Sequence, residues 1–377
     1  MNLKTYLVAT TAAFASSSAF AADLPVVAEP VEYVAVCDAY GAGYFQLPGK
    51  DTCIKISGGV RSWYTSHNLT KKSGLITAGV EGVEDDPATP EDETVEAVDE
   101  ERNDYTLKTR GYLTLQSMTQ TDLMSIKTYT SIFTNWDDSA TNKLNIFDAY
   151  AQFGFDGVDI LTGRTLSLFL PFSGYTLNYN SIPVGGHRAL QARATFELVD
   201  GFTAAFGVET SKYTGGVEGG LDFTTALKYS SGAFDLGLMG AAHKYDEDNF
   251  GYGVSGYMEF KAVEKLTLGV GATYAQDVHS YLGLDGDTTG FSDGDGSKGF
   301  NVYGGISYDL TDKVNFAVDG TYASISKDNT TYSVNGVNST LTYKPVTGLS
   351  LSLDGGMWQD SNDDKTAKVT GRVNYSF

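Results

Sequence analysis

Apolar and polar positions alternate strictly over the last eleven residues of the chain. Ala367, Val369, Gly371, Val373, Tyr375 and Phe377 fall on one face, and Lys368, Thr370, Arg372, Asn374 and Ser376 on the other. A period of two is that of a β-strand with one apolar and one polar side. A tilted strand needs about 9–11 residues to cross a bilayer, so the length fits a spanning strand. A final aromatic, with Tyr375 two positions before it, puts rings at the depth of a membrane interface. Taken alone, the segment fits an edge strand of a soluble sandwich equally well, and the rest of the chain decides between them.

The same alternation predicts fifteen further strands from Ile54 onward. The first runs near 54–66, and the second, 104–117, sets Tyr105, Leu107, Leu113 and Leu115 against Lys108, Arg110, Thr114 and Gln116. The fourth aligns Phe147, Ala149, Ala151 and Phe153, and the fifth ends near Arg164. In the sixth, Leu190, Ala192, Ala194 and Phe196 oppose Gln191, Arg193 and Thr195. Paired strands then follow across short turns at 230–233, 261–265, 309–313 and 344–348. The connectors sort into seven short turns at one end and eight longer loops at the other. A soluble sandwich has no reason to sort them, whereas a bacterial outer-membrane barrel is built that way. The expected fold is all-β, a transmembrane antiparallel up-and-down β-barrel of about 16 strands over residues 54–377.

Composition adds the compartment. Lys4, the apolar run Leu7 to Phe14 and the small-residue site Ala19-Phe20-Ala21 read as a signal peptide over 1–21. Residues 22–53 then form a periplasmic amino-terminal segment leading into the first strand. No later stretch reaches 18 apolar residues, so a membrane protein of this sequence has to satisfy its backbone as a closed barrel. The 43 Gly, 24 Tyr and 20 Phe against 8 Pro suit strands and turns. The mean hydropathy of −0.18 is compatible, because lipid-facing and lumen-facing positions alternate. A net charge of −21 repels phosphate and excludes a nucleic-acid partner. Cys37 and Cys53, alone in an exported chain, favour one disulfide over two free thiols.

Candidate chemistry is sparse. Gly251-Tyr-Gly253-Val-Ser-Gly256 matches a phosphate-loop spacing but lies inside a strand with no following helix, so small residues on a wall explain it better. Asp285-Gly-Asp287-Thr-Thr-Gly290 starts like a calcium loop, yet Gly296 stands where a bidentate Glu belongs, leaving at most weak surface cation binding. His67, His187, His243 and His279 lack ligand spacing, so no metal site is expected. No nucleophile or base motif appears, and neither an enzyme nor a cofactor is expected. The run Glu81–Glu101 holds eleven carboxylates and no Lys or Arg, and reads as a solvated outer loop.

The basic residues on polar strand faces carry more. An Arg on the lipid face costs about 2–4 kcal/mol at the midplane, so Lys108, Arg110, Arg193 and Arg372 are expected to face the lumen or the rims. Arg188 opens the sixth strand, and Arg61 and Arg164 join the set although the parity of their strands is less clear. A one-sided basic wall is a means of ion selection, with lumen-filling salt bridges as the competing account.

The segment Val31-Glu-Tyr-Val-Ala-Val-Cys37-Asp-Ala-Tyr-Gly-Ala-Gly-Tyr-Phe45, with Leu47-Pro-Gly49, Thr52-Cys53-Ile and Val60-Arg61, resembles the amino-terminal signature of the alphaproteobacterial general porins. The resemblance implies a homotrimer of sixteen-stranded barrels in the bacterial outer membrane, in contact with lipid and lipopolysaccharide. Such barrels pass small hydrophilic solutes and ions by passive diffusion, and their third long loop folds inward to narrow the lumen. By position that loop is Thr165–His187. It departs from the family pattern: it holds no Asp or Glu, and offers Phe169, Phe172, Tyr175 and Tyr179 instead. Either carboxylates come from elsewhere, such as Asp148, or the constriction is basic and aromatic, which implies weak anion preference at high salt. A solute-selective channel with an aromatic track for sugars, and a surface adhesin working through acidic loops, are the alternatives. The small outward residues Ala149, Ala151, Ala192, Ala194 and Ala204 suit contact between barrels.

Overall fold

The computed structural model describes residues 35–67, 69, 105–137, 144–179, 182–214, 216, 219–284 and 286–377. The signal sequence and the acidic run lie outside those residues. Two short strands, β1 (Ala35–Val36) and β2 (Phe45–Gln46), precede the barrel. Sixteen strands follow. They are β3 (Thr52–Ser66), β4 (Tyr105–Gln120), β5 (Ser125–Trp136), β6 (Leu144–Phe155), β7 (Val158–Leu166), β8 (Arg188–Val199), β9 (Phe202–Thr210) and β10 (Leu221–Ser230). The second half comprises β11 (Phe234–Lys244), β12 (Phe250–Val263), β13 (Leu266–Gln276), β14 (Lys298–Thr311), β15 (Val314–Lys327), β16 (Thr330–Tyr343), β17 (Leu349–Asp360) and β18 (Lys365–Ser376). Each barrel strand pairs antiparallel with its sequence neighbours, and β18 closes on β3 with Tyr375 opposite Val60. The terminal residue completes the seam, since Phe377 and Gly58 exchange both backbone hydrogen bonds. Closure leaves no edge, which is the condition for a sheet to sit in hydrocarbon.

The alternation read from the sequence sets the two faces. Phe206, Leu353, Val373 and Tyr375 are more than half exposed on the outside, while Thr370, Asp354 and Asn338 are buried within. All seven turns at the β4–β5 end are two to five residues long. The opposite end carries the long connectors, including 167–187 and 277–297, but not uniformly. Only Asp328 and Asn329 join β15 to β16, where Asp328 takes a left-handed φ of 51° that reverses the chain in two residues.

One expected face is overturned. In the β5–β6 pair Ser131 lies opposite Asp148 and Ile132 opposite Ile146, so Phe147 is an inserted residue. This bulge breaks the alternation. Phe147 turns away from the Ala149 face and packs edge-on against Phe133, ring centroids 5.6 Å apart.

The amino-terminal residues are tied to the short-turn end. Cys37 is disulfide-bonded to Cys53 of β3, and both are buried with Tyr44, whose hydroxyl donates to Gln116 at 2.9 Å. Closing a loop of 16 residues contributes about 3 kcal/mol on the chain-entropy picture. Intact mass after alkylation is expected to show no labelled cysteine without reductant and two with it. Two thiols labelled in the native, unreduced protein would contradict the bridge.

Candidate functional site

The inward side chains of β3–β6 form a ladder of cations and rings. Arg61 and Arg110 are register partners across β3 and β4, and both point inward because Val60, Tyr64, Leu107 and Leu113 hold the outer face. Each is steered by an amide: Arg61 Nε donates to Asn374 at 3.2 Å, and Arg110 Nε to Asn135 at 2.8 Å. The Arg110 guanidinium lies 4.2 Å from the Phe133 ring centre and 5.8 Å from Trp63. Arg188 sits 3.6 Å over Phe147 and pairs with Asp148 at 3.1 Å. Stacking on rings holds a guanidinium in place while leaving its charge uncompensated.

The expected basic set is therefore divided. Lys108 is paired with Asp137 at 3.2 Å and Arg188 with Asp148, so these two are neutralised locally. Arg372 faces inward beside Ser352, at 3.5 Å. Among the described residues Arg61, Arg110 and Arg372 bond to amides or a hydroxyl, not to carboxylates. Arg193 is inward but lower on the wall, donating to the Leu166 carbonyl and to Gln191. Arg164 does not belong to the wall. It lies opposite Ala149 and Leu190 on the outer face, and its guanidinium donates to the carbonyls of Ile146 and Phe147. The register of β7 decides this, since Ile160 and Thr162 share that face.

The connector Ser167–His187 runs across the barrel to the opposite wall. Its backbone does the anchoring: the amides of Tyr175 and Thr176 donate to Asp319 of β15 at 2.9 and 2.6 Å. Leu177 N donates to Thr340 at 3.0 Å, and Tyr179 N to Asp354 at 3.2 Å. Asp319 and Asp354 are inward residues of β15 and β17, each 1 % exposed. The Tyr175 hydroxyl donates to Glu259 at 2.9 Å; burial, then that carboxylate, pushes its phenol well above the usual range. At the root, Ser167 and His187 both hold Glu209 at 2.8 Å. The carboxylates missing from the loop are thus supplied by the wall beneath it, and the loop covers them.

The loop aromatics face that wall. Phe169 is fully buried and Phe172 nearly so. A Cβ at Gly269 or Gly271 would collide with Phe172, and one at Gly253 would lie 2.7 Å from Tyr281 and 3.0 Å from Phe169. Glycine at these inward positions makes the seats for the rings. This also accounts for the Gly251–Gly256 spacing, which lies inside β12. Tyr179 reaches Trp63, ring centroids 5.9 Å apart, so the loop tip approaches the arginine ladder.

Residues 277–297, which the sequence marks only by a calcium-like spacing, form a second inserted segment. They carry Val278, Tyr281, Leu282 and Phe291 into the same apolar cluster, with Tyr281 stacked on Phe169 at 4.4 Å. Asn301 ties the two loops, donating to both Pro183 and Leu282 carbonyls. Burial raises Asp293, but hydrogen bonds from His243 and His279 outweigh it and hold the carboxyl at about 2. The signal was the apolar content of a segment otherwise rich in Asp and Gly. Asp319 and Asp354 were visible too, as carboxylates on polar strand faces.

The family profile of the porin subfamily matches residues 23–376. The chain is similar to the porin Omp2b of Brucella suis biovar 1, 26% identical over 96% of this chain and 95% of the relative. Its fold resembles the outer membrane channel DcaP of Acinetobacter baumannii, with a TM-score of 0.63 and 18% identity, covering 86% of this chain and 97% of that one. It also resembles the trimer form of OmpT of Vibrio cholerae, TM-score 0.58 and 9% identity, covering 87% and 100%. A closed sixteen-stranded barrel, the wall chemistry and a match over nearly the whole sequence converge: the chain belongs to the porin subfamily and is a channel protein of the outer membrane.

Proposed function

We propose that the barrel passes small hydrophilic solutes and ions passively, through a constriction between the arginine ladder of β3–β4 and the segment Ser167–His187. One observation carries this reading: the loop lies on the acidic wall and consumes its carboxylates, while Arg61 and Arg110 opposite keep uncompensated charge. Buried carboxylates that accept two or three backbone N–H bonds are compensated by those dipoles. The guanidiniums are stacked on rings, and the low-dielectric wall focuses their field into the lumen. The sugar-track alternative loses support, because Phe169 and Phe172 are packed into the wall rather than presented to solutes. The charge of the acidic run Glu81–Glu101 acts mainly at low salt, since such a field is screened beyond about 8–10 Å at physiological ionic strength.

Assembly follows from the outer face. Arg164 lies there between Ala149 and Leu190, with the small residues Thr130, Ala151, Thr162 and Ala192 on the same outer face. A guanidinium facing lipid costs about 2–4 kcal/mol at the midplane, which contact with a second barrel removes. Small residues allow that approach. The trimer form of the similar OmpT supports the same stoichiometry.

Two outcomes are expected. In planar bilayers at high salt, the reversal potential shows weak anion preference, and Arg61→Gln with Arg110→Gln shifts it toward cations. Strong cation selectivity indifferent to both arginines would contradict the proposal. Light scattering of the unheated, detergent-extracted protein gives a trimer mass, and Arg164→Glu lowers it toward one chain. A wild-type protein found only as a monomer would refute the assembly.

A further inference from the structure

We propose that a pocket in the lumen wall, under the root of the inserted loop, is a binding subsite for small organic anions. Arg193 and Lys228 hold the carboxylate and Leu168 and Leu170 receive the apolar body. The inference rests on the channel reading and adds a ligand class to it.

The pocket is a cavity of about 350 Å³ between β8, β9, β10 and the first residues of the loop. That volume is at the lower end of the roughly 300–1,000 Å³ that small-molecule sites occupy. The register explains why there is space. Thr195, Ala205 and Ala226 lie side by side across the three strands, and the two alanines form a buried floor. Arg193 stands one inward position above this row on β8, and Lys228 one below it on β10. Two cations therefore sit at diagonal corners of a floor without bulk. The loop supplies the roof, with Leu168 and Leu170 on it.

The charge there is not spent locally. Among the described residues Arg193 donates to the Leu166 carbonyl and Gln191 alone, at 3.3 and 3.4 Å. Glu209 is near enough to act on it, but that carboxylate is buried and held by Ser167 and His187. Lys228 is exposed to the lumen, and no described carboxylate pairs with it. A carboxylate placed between the two gains charge-assisted hydrogen bonds from both, with Thr195 and Thr203 alongside. The apolar roof decides the class of anion. A fully oxygenated ion such as phosphate would lose hydration against Leu168 and Leu170 without replacement, whereas a short alkyl chain gains by burial there.

The test is single-channel recording in potassium chloride with added hexanoate. Expected is a block that saturates at millimolar hexanoate, with hexanol and hexylammonium inert and inorganic phosphate at least tenfold weaker. Lys228→Gln and Arg193→Gln should each weaken the block tenfold or more, and Lys228→Arg should retain it. Both side chains lie outside the apolar cluster, so the barrel is expected to tolerate these changes. Open channels indifferent to hexanoate, or a block unchanged in both glutamine variants, would overturn the subsite while leaving the porin reading intact. Phosphate blocking as strongly as hexanoate would overturn the assignment to an organic anion. A wild-type protein that opens no channel would overturn both.

Discussion

Every feature of this molecule depends on the closure of one hydrogen-bonded ladder. In hydrocarbon an unpaired backbone group costs several kcal/mol, so a sheet can span the membrane only if it has no edge. The seam between β3 and β18 meets that demand, down to the bonds of Phe377 with Gly58. Closure then fixes everything else. With the register locked around the circle, each residue is committed to lipid or lumen by its parity, and a charge on the wrong parity has to be accounted for. Arg61, Arg110 and Arg372 lie on the lumen parity, where the charge is expected, and Arg164 on the lipid parity, for which the proposed contact between barrels accounts.

A sixteen-stranded cylinder encloses more space than its own side chains fill. Here two connectors, Ser167–His187 and residues 277–297, enter that space and share an apolar cluster with the inner wall. Their attachment uses complementary devices. Glycines on β12 and β13 leave hollows for Phe169 and Phe172, and wall carboxylates take the backbone amides that the loop leaves unpaired. A barrel interior built this way is asymmetric. On one side the loop covers and compensates the wall carboxylates, and on the other Arg61 and Arg110 are bonded to amides. The same asymmetry leaves the cavity beneath the loop root, where the cover stops short of the wall.

The strands were legible in the sequence because a period of two survives wherever one face meets lipid and the other water. All sixteen were found, as was the pairing of Cys37 with Cys53, and the basic residues on polar strand faces stood out as candidates for the wall. The errors have local physical causes. Phe147 was assigned outward because an inserted residue has no signature in a run of aromatics and alanines. Arg164 was assigned inward because β7 mixes large apolar residues on both faces, Ile160 on one and Leu161 on the other. The loop rings were expected to face solutes because their seats at Gly253 and Gly269 lie some hundred residues downstream, where only the fold brings them together. Lys228 attracted no notice since a lysine on a polar strand face is ordinary until its neighbours Ala205 and Ala226 are seen to leave space beside it.

The central claim is a water-filled lumen narrowed by the inserted loop, and solute flux tests it most directly. Purified protein in liposomes, diluted into iso-osmotic solutions of neutral sugars from a pentose to a tetrasaccharide, reports the flux through the swelling rate. The account requires fast swelling with the pentose, a rate that falls steeply as the sugar grows, and none with the tetrasaccharide. Absence of swelling with every sugar, or equal rates regardless of size, would contradict it.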